Sequence, residues 1–187
     1  MKESKGTFTD PRDGKVYKTV EIGGVVWMAE NLNYAAEGSV CYDNDPKNGE
    51  KYGRLYDWDT AMKACPDGWR LPTHKEWQAL MDTAHGPSSV VTSSIGRGGK
   101  SGKNLKATSG WNFSGNGTDE YGFAALPGGN GGSDGVFNDI GGWGYWWSAT
   151  ECGADIAWSW YMHTSFPNAS RNNVYKTNLY SVRCVAD

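Results

Sequence analysis

The stretch CPDGWRLPTHKEW, residues 65–77, joins a cysteine, a tight turn and the start of a helix. Thr73 followed three residues later by Glu76 is a capping box, in which each side chain bonds a free backbone N–H of the first helical turn. The apolar stripe behind it consists of Trp77, Leu80, Met81 and Ala84. Its helical spacing predicts an amphipathic helix that Gly86 and Pro87 end. We therefore interpret Glu76 as a helix cap rather than an acid catalyst, and the whole stretch as architecture.

A shorter helix is predicted just before this stretch, from about Asp57 to Ala64. Its apolar face consists of Trp58, Ala61 and Met62. Asp57 and Asp59, at its start, are favoured by the positive end of the helix dipole and need no catalytic role. Further back, residues 43–45 read Asp-Asn-Asp. They lack the spacing and the distal Glu of an EF-hand, so they predict turns rather than a calcium site.

The N-terminal segment has the pattern of a strand hairpin. TFTD, residues 7–10, runs into a turn at 11–14, where Pro fixes one dihedral angle and Gly accepts a positive φ. Residues 15–22 then alternate, and the Gly-Gly pair at 23–24 predicts a two-residue connection to the next strand at 25–32. The face predicted to point inward carries Val16, Lys18, Val20 and Ile22, and the opposite face carries Tyr17, Thr19 and Glu21.

Residues 87–144 are dominated by Gly, Ser and Asn. GRGGKSGK, residues 96–103, superficially resembles a phosphate-binding loop. The required order G-x-x-x-x-G-K-[ST] fails, because Ser94 stands five residues before Gly99, and this argues against nucleotide binding. A long Gly-rich stretch with large apolar anchors is typical of self-packed Ω-like loops. The predicted anchors are Leu105, Trp111, Phe113, Tyr121, Phe123, Leu126 and Phe137.

The remainder of the chain returns to strands. GYWWSAT (residues 144–150) is one, and DIAWSWYMHT (residues 155–164) alternates. One face of the second strand carries Ile156, Trp158, Trp160 and Met162, and the other carries Ala157, Ser159, Tyr161 and His163. PNASRNN (residues 167–173) is predicted to turn, and residues 174–178 and 179–187 to follow as strands.

Composition indicates a single loop-rich domain in a chain of 187 residues. With 26 Gly, 10 Trp and 10 Tyr, large rings are expected to replace long aliphatic elements as packing units. A net charge of -3 gives no electrostatic basis for nucleic-acid binding. No apolar run approaches the ~20 residues of a membrane span.

The N-terminus and the cysteines bear on the cellular location of the protein. Residues 1–10 contain no apolar segment of a signal peptide, so we expect either a cytosolic protein or the mature form of an exported one. The cysteines have no CxxC spacing, which argues against a zinc ribbon. They are Cys41, Cys65, Cys152 and Cys184. A secreted or cell-surface protein with a partly disulfide-bonded domain is the favoured expectation.

Four motifs occur in order: KYGRLYDWDTAMKACPDGWRLPTHKEWQAL, TDEYGFAALPGG, GYWWSAT and SVRCV. Together they resemble the Fibrobacter succinogenes major paralogous domain, a family of secreted and surface proteins of Fibrobacter and Bacteroidetes. The resemblance spans residues 13–187 as one domain and leaves residues 1–12 as an N-terminal extension that includes the first strand. The family in turn resembles the C-type lectin fold. That likeness implies an α+β fold with two helices packed on small antiparallel sheets, a long Gly-rich loop region, and chain ends paired in one sheet.

The resemblance also bears on the cysteines. It implies a disulfide between Cys65 and Cys184, which ties the helical half to the final strand. The family often has a cysteine where Gly49 stands here, so Cys41 has lost its usual neighbour, and Cys152 falls outside the family pattern. These two cysteines are expected either to pair with each other or to remain free thiols.

An enzymatic function is the first of three hypotheses. The segment LPTHKEW is similar to one in formylglycine-generating-enzyme-like domains, which use late cysteines for copper-dependent oxidation. Here the late cysteines, Cys152 and Cys184, are widely separated in sequence. The imidazoles are His74, His85 and His163, none in a nucleophile-elbow motif, and the first two are expected to be solvated. We therefore expect no catalytic residues.

A binding module of C-type lectin type is the favoured interpretation, with a glycan or protein as ligand. Its surface would be the loop region and the outward face of the C-terminal strands, where Trp and Tyr stack on sugars or fill protein pockets. The aromatic candidates are Trp143, Trp158, Trp160 and Tyr161, whereas Trp58, Trp69, Trp77, Trp111 and Trp146 are predicted to be core. EPN-like and QPD-like triplets of calcium-dependent lectins are missing, so no metal or other cofactor is expected.

A third hypothesis is a more specific form of the binding module. Some proteins of C-type lectin fold carry C-terminal segments diversified by retroelements that mutate adenines, which turns asparagine codons into codons for many residues. Residues 152–180 resemble such a segment, with Trp158, Trp160, Met162 and Lys176 as fixed scaffold that cannot arise in this way. The predicted contact residues are Ser159, Tyr161, His163, Ser165, Phe166, Asn168, Ser170, Asn172, Asn173 and Tyr175, in addition to Trp143. An ordinary polar surface would have much the same composition.

Overall fold

A computed structural model describes residues 5–85 and 99–187 and shows an α+β domain. The strands are β1 (Lys5–Thr9), β2 (Val16–Ile22), β3 (Val25–Met28), β4 (Leu55–Tyr56), β5 (Trp69–Arg70), β6 (Asn130–Gly131), β7 (Phe137–Asn138), β8 (Trp143–Glu151), β9 (Ile156–His163), β10 (Ala169–Tyr175), β11 (Tyr180–Ser181) and β12 (Val185–Ala186). The helices are α1 (Pro46–Tyr52), α2 (Trp58–Ala64), α3 (His74–His85) and α4 (Ser101–Leu105). Gly86 and Pro87, predicted to end α3, and residues 96–98 of the phosphate-loop-like segment lie outside the described residues.

The first sheet joins the two ends of the domain. Its strand order is β1-β2-β3-β12-β5, and every pair is antiparallel. The late strand β12 lies between two early ones, since Val185 pairs with Trp27 on one side and with Arg70 on the other. The predicted hairpin between β2 and β3 is confirmed, and so is the pairing of the chain ends.

The second sheet carries the long C-terminal strands in the order β10-β9-β8-β11-β4. Strands β8, β9 and β10 are antiparallel neighbours. The expectation of purely antiparallel sheets is wrong at one place, because β11 runs parallel to β8, with Ser181 opposite Trp146. A separate two-stranded pair, β6 with β7, stands in the Gly-rich region.

The capping box at the start of α3 is confirmed. The backbone N–H of Glu76 donates to Thr73 Oγ1 at 3.2 Å, and the N–H of Thr73 donates to Glu76 Oε2 at 2.7 Å. Arg70 adds two further hydrogen bonds to the same carboxylate. These bonds, of which the arginine side-chain bond is the largest cause, lower the pKa of Glu76 to about 2.

The predicted count of two helices is too low, because α1 and α4 are also present. Helix α1 begins where Asp45 accepts the N–H of Lys47 at 2.9 Å, with Pro46 at the first helical position. Both residues are strong start signals. The helix has only seven residues and lies in a polar segment without an apolar stripe, so periodicity alone does not detect it.

Tryptophan forms much of the core. Trp77 of helix α3 packs against one face of the second sheet, where Trp146 and Trp160 are also buried. On the opposite face of that sheet, Trp58 of α2 packs in a second cluster with Trp147. Several indole N–H groups donate to backbone carbonyls distant in sequence; the bonds run from Trp58 to Ser148, from Trp77 to Trp147, from Trp111 to Ala125 and from Trp147 to Tyr56. These rings therefore fix loops as well as fill space.

Some predicted burials differ from the structure. On β2, Val16 is 59% exposed while Tyr17 is buried, because the second cluster covers that face and the tyrosine hydroxyl accepts the N–H of Asn33. Phe113 is no anchor, since it is 89% exposed on a backbone with positive φ. Trp69 is only half-buried. The segment 169–173, predicted to turn, belongs to strand β10.

A disulfide links Cys65 to Cys184, as the family resemblance implied. It joins the end of α2 to the segment before β12 across 119 positions of sequence. Cys41 is a buried free thiol and Cys152 an exposed one. Gly49 lies beside Cys41: a Cβ added to it would stand 2.5 Å from the cysteine Sγ.

A buried arginine was not foreseen. Arg183 donates from Nε to Asn31 Oδ1 at 2.8 Å, and its other nitrogens donate to the backbone carbonyls of Met28, Phe123 and Ala124. The amide oxygen of Asn31 also accepts the indole N–H of Trp146. Burial lowers the pKa of Arg183. This network fastens the segment after β3 to the segment before β12.

Candidate functional site

Strands β8, β9 and β10 form a platform with two different faces. The inner face carries Trp146, Trp160 and Met162, all buried. Trp160 is an aromatic candidate under the binding-module hypothesis and fixed scaffold under the diversification hypothesis. The structure places it in the core against α3, because even-numbered side chains of β9 point that way. Trp158, on the same side, is half-buried. The opposite face of the platform carries the side chains that remain partly exposed.

The outer face bears a continuous group of aromatic side chains. Trp143 lies opposite His163 in the strand register, and Tyr145 lies opposite Tyr161. Phe166 follows in the turn after β9 and is 51% exposed, and the other four are half-buried. We call these five residues, Trp143, Tyr145, Tyr161, His163 and Phe166, the aromatic patch.

The rings of the aromatic patch contact one another. Trp143 lies 4.1 Å from His163, 5.6 Å from Tyr161 and 5.7 Å from Tyr145, measured between ring centroids. Phe166 extends the group at 4.9 Å from His163. At the opposite end Tyr145 stacks on Tyr180 at 4.9 Å, which continues the rings into the core. Mutual contact and strand backbone hold the side chains in place.

Two polar groups in the aromatic patch have defined states. Nδ1 of His163 accepts the backbone N–H of Ser165 at 3.2 Å. Burial, and then the charge of Lys106, lower the pKa of His163, so the imidazole is neutral near pH 7. The hydroxyl of Tyr145 donates to Asp139 Oδ2 at 2.9 Å. Burial and this carboxylate raise the pKa of Tyr145, which remains a neutral donor.

Polar side chains border the aromatic patch. Asp139, exposed and at a positive φ of 72°, also accepts the amide N–H of Asn130 at 3.0 Å. On the other border the amide of Asn168 donates to the hydroxyl of Ser170 at 3.1 Å. Ser170 lies opposite Tyr161 in the register. The site therefore combines ring faces with carboxylate, amide and hydroxyl groups, the mixture found in sites for polar organic ligands.

The structure brings most of the predicted contact residues together. Trp143, Tyr161, His163 and Phe166 are in the aromatic patch. Ser165, Asn168 and Ser170 border it in the β9–β10 turn and the start of β10, and Asn172 is exposed farther along the same face.

Three predicted contact residues lie elsewhere. Ser159 is buried, with its hydroxyl donating to the carbonyl of Asn172. Asn173 and Tyr175 project from the opposite face of β10, because their register partners are Trp158 and Ile156. The amide of Asn173 donates to the thiol of Cys152 instead, at 3.4 Å. Register, which the alternation pattern of one strand cannot supply, decides these positions.

The two histidines of α3, His74 and His85, were predicted to be solvated, but both are half-buried. His74 stacks against Trp158 and Trp160, and its Nε2 lies 2.9 Å from Arg171 Nη1. Burial and this arginine lower the pKa of His74.

Three residues of the site are not among those predicted from the sequence. Tyr145 could have been found, since it stands two positions after Trp143 on the same strand and must share its face. Asp139 and Lys106 gave no such signal, because loops bring them to the site. Within residues 5–85 and 99–187, no three His, Cys, Asp or Glu side chains are grouped so as to hold a metal ion. In the same ranges no helix is long and apolar enough to cross a membrane.

Comparison with known proteins places these features in one family. The chain belongs to the Fibrobacter succinogenes major domain family, whose model matches residues 20–186. No curated protein matches the chain, and no solved structure does.

Proposed function

We propose that this domain is a ligand-binding module without catalytic chemistry, which recognises a glycan or a protein surface through the aromatic patch. One observation carries the proposal: five adjacent aromatic side chains keep contact with solvent on the outer face of a sheet. Large rings of this kind stack on sugar faces or fill protein pockets, and they lose little conformational entropy when they bind.

The aromatic patch is preorganised, which supports recognition. Its strands are anchored from behind by buried residues such as Trp146 and Met162, and its rings already contact one another. Less side-chain freedom is therefore lost on binding. His163, the imidazole of the patch, takes its hydrogen bond from a backbone N–H, an arrangement that orients the ring without making it a general base for a neighbouring nucleophile.

The proposal also includes a C-type-lectin-like fold and export from the cell. A C-type-lectin-like arrangement is supported by the sharing of one sheet by the two end segments and by the Gly-rich loops between α4 and β8. Export is supported by the Cys65–Cys184 disulfide, since such bonds persist in oxidising compartments.

The test is binding to panels of glycans and bacterial surface proteins, with and without a chelator. We expect a ligand whose capture does not need calcium. Trp143→Ala and Phe166→Ala should each weaken its binding by about 2 kcal/mol, roughly 30-fold in Kd. Tyr175→Ala is the matched control, because Tyr175 is 68% exposed but projects from the opposite face. Equal losses in all three variants, or capture that survives both patch substitutions, would refute the proposal.

A second candidate is a protein diversified by a retroelement. The observation that favours it is the register of β9: Tyr161 and His163, reachable from an asparagine codon, point outward, while Trp160 and Met162 are buried. The test is genomic sequencing beside the gene for a near-copy of the segment encoding residues 152–187 that differs only at adenines, next to a reverse transcriptase. Without such a copy, the specificity is fixed.

A further inference from the structure

A cavity of about 230 Å³ adjoins the aromatic patch. Its walls come from α4 and the residue after it, from the loop at 114–116, and from the turn after β9. Phe166 belongs to both the cavity and the patch, so one ligand could occupy both. The polar lining residues are Lys103, Lys106, Ser114, Asn116, Thr164 and Ser165.

Lys106 is the unusual member of this lining. It is 3% exposed, and its Nζ donates to the carbonyl oxygens of His163 at 3.1 Å and Phe166 at 3.2 Å. The ammonium also lies 5.0 Å from the ring centroid of Trp111. No carboxylate of the described residues comes within ion-pair distance of it. Buried charges are ordinarily paired, because desolvation is costly.

The charge of Lys106 is thus only partly compensated. Burial, and then Lys103, lower its pKa to about 8, so the group is still mainly protonated at pH 7. An ammonium has three N–H donors. The two carbonyls occupy two of them and leave one for a ligand.

The other polar groups of the cavity are also mainly donors. Lys103 is exposed at the rim and adds a second positive charge. Asn116 uses its amide oxygen to accept the N–H of Trp111 at 3.0 Å, which leaves its NH₂ group available. Ser114 and Ser165 contribute hydroxyls, and no acidic side chain lines the cavity. Two cations with amide and hydroxyl donors form an environment that favours an anion.

We propose that this cavity is an anion subsite that receives a carboxylate, sulfate or phosphate group of the ligand bound by the aromatic patch. The inference rests on the proposed function and narrows the ligand class to acidic molecules, with a ring or apolar part on the patch and a compact oxyanion beside Lys106. The volume suits a single such group rather than a whole drug-sized ligand, for which sites are about 300–1,000 Å³.

The experiment is a titration of the isotope-labelled protein with sodium acetate, sulfate and phosphate, each against sodium chloride at equal ionic strength, followed by NMR. We expect saturable shifts confined to the cavity, at the amides of Asn116, Thr164 and Ser165 and at the side chain of Lys106. The three salts distinguish carboxylate, sulfate and phosphate as the preferred group.

Three substitutions complete the test. Lys106→Met keeps the unbranched side chain and should abolish the shifts. Lys103→Gln, at an exposed position, should weaken anion binding several-fold without disturbing folding. Lys75→Gln is the matched control, since Lys75 is exposed on α3 and carries the same charge. The subsite is refuted if no salt gives saturable shifts there, or if Lys75→Gln weakens binding as much as Lys103→Gln.

The two proposals can fail separately. If Trp143→Ala abolishes ligand capture while the anions leave the cavity resonances unchanged, the aromatic patch is a binding site without an anion subsite. If anions bind in the cavity and Lys103→Gln weakens their binding, the subsite is confirmed. If Trp143→Ala at the same time leaves the binding of every captured ligand unchanged, the proposed function is wrong.

Discussion

Replacing Gly49 by cysteine should create a second disulfide, with Cys41. Gly49 lies inside α1, is buried, and has no positive φ, so a side chain is compatible with its backbone. A Cβ there would stand 2.5 Å from Cys41 Sγ. In a disulfide this distance is about 3 Å, which follows from the bond lengths. A small shift of the Cys41 side chain therefore suffices.

The increase in the free energy of unfolding follows from the entropy of loop closure. The new bond would close a loop of nine residues, from 41 to 49, and the chain-entropy relation gives about 2.6 kcal/mol at 25 °C. In a domain of this size that free energy of unfolding corresponds to roughly 5–10 °C in Tm. The hydrogen bond from Arg54 to the Cys41 thiol at 3.3 Å is weakened in exchange.

Gly49→Ser is the matched control, because serine brings the same Cβ and a similar volume but cannot form the bond. Both variants retain the Cys65–Cys184 disulfide, so no reductant is needed. Oxidised Gly49→Cys should titrate one free thiol when denatured and exceed the serine variant in Tm by the amount above. Three free thiols in denatured Gly49→Cys, or equal Tm values for the two variants, would refute the geometry.

Three further predictions concern stability, measured by urea denaturation. The double substitution of Cys65 and Cys184 by serine should lower the free energy of unfolding by about 5 kcal/mol, the chain-entropy value for a loop of this length. Asn31→Ala should lower it by about 3 kcal/mol, because Arg183 then keeps a buried N–H without its acceptor. Glu76→Gln should be destabilising at pH 7 but progressively less so at pH 3, because the pKa of Glu76 is depressed to about 2. A depressed carboxyl pKa contributes stability above the ordinary value of 4.5, and that contribution is lost as the pH falls toward 2.

Each of these predictions has a contradicting outcome. A loss under 1 kcal/mol in the serine pair would mean that the unfolded chain is already compact. An Asn31→Ala variant as stable as the native protein would mean that water replaces the amide. A constant difference between Glu76→Gln and the native protein from pH 7 to pH 3 would show that the carboxylate is not selectively stabilised in the folded state.

Local features could be predicted because all their determinants are close in sequence. Thr73 and Glu76 specify a helix start in four residues, and Gly23 with Gly24 specifies a hairpin in two. Helix α1 was missed because its stability comes from its surroundings rather than from an apolar stripe. The disulfide came from family resemblance, since cysteine spacing alone does not determine a pairing.

Non-local features could be predicted only in part. Alternation along β9 placed Tyr161 and His163 on one face, and this was sufficient for the core of the aromatic patch. Ser159, on the same face, is buried instead, with its hydroxyl bonded to the carbonyl of Asn172 in the neighbouring strand. The burial of Lys106 depends on the turn after β9, some 57 positions later. No periodicity within a strand or helix contains that information.

The position of β12 between β3 and β5 has a consequence for biosynthesis. Arg70 is made 115 positions before its partner Val185, as the difference of the two residue numbers shows. At 5–20 residues per second, the ribosome needs about 6–23 s to travel that distance. During this interval β3 and β5 have no strand between them, and the disulfide partner of Cys65 does not yet exist. The first sheet is therefore completed only after nearly the whole domain has been translated, and folding of this domain is late rather than vectorial.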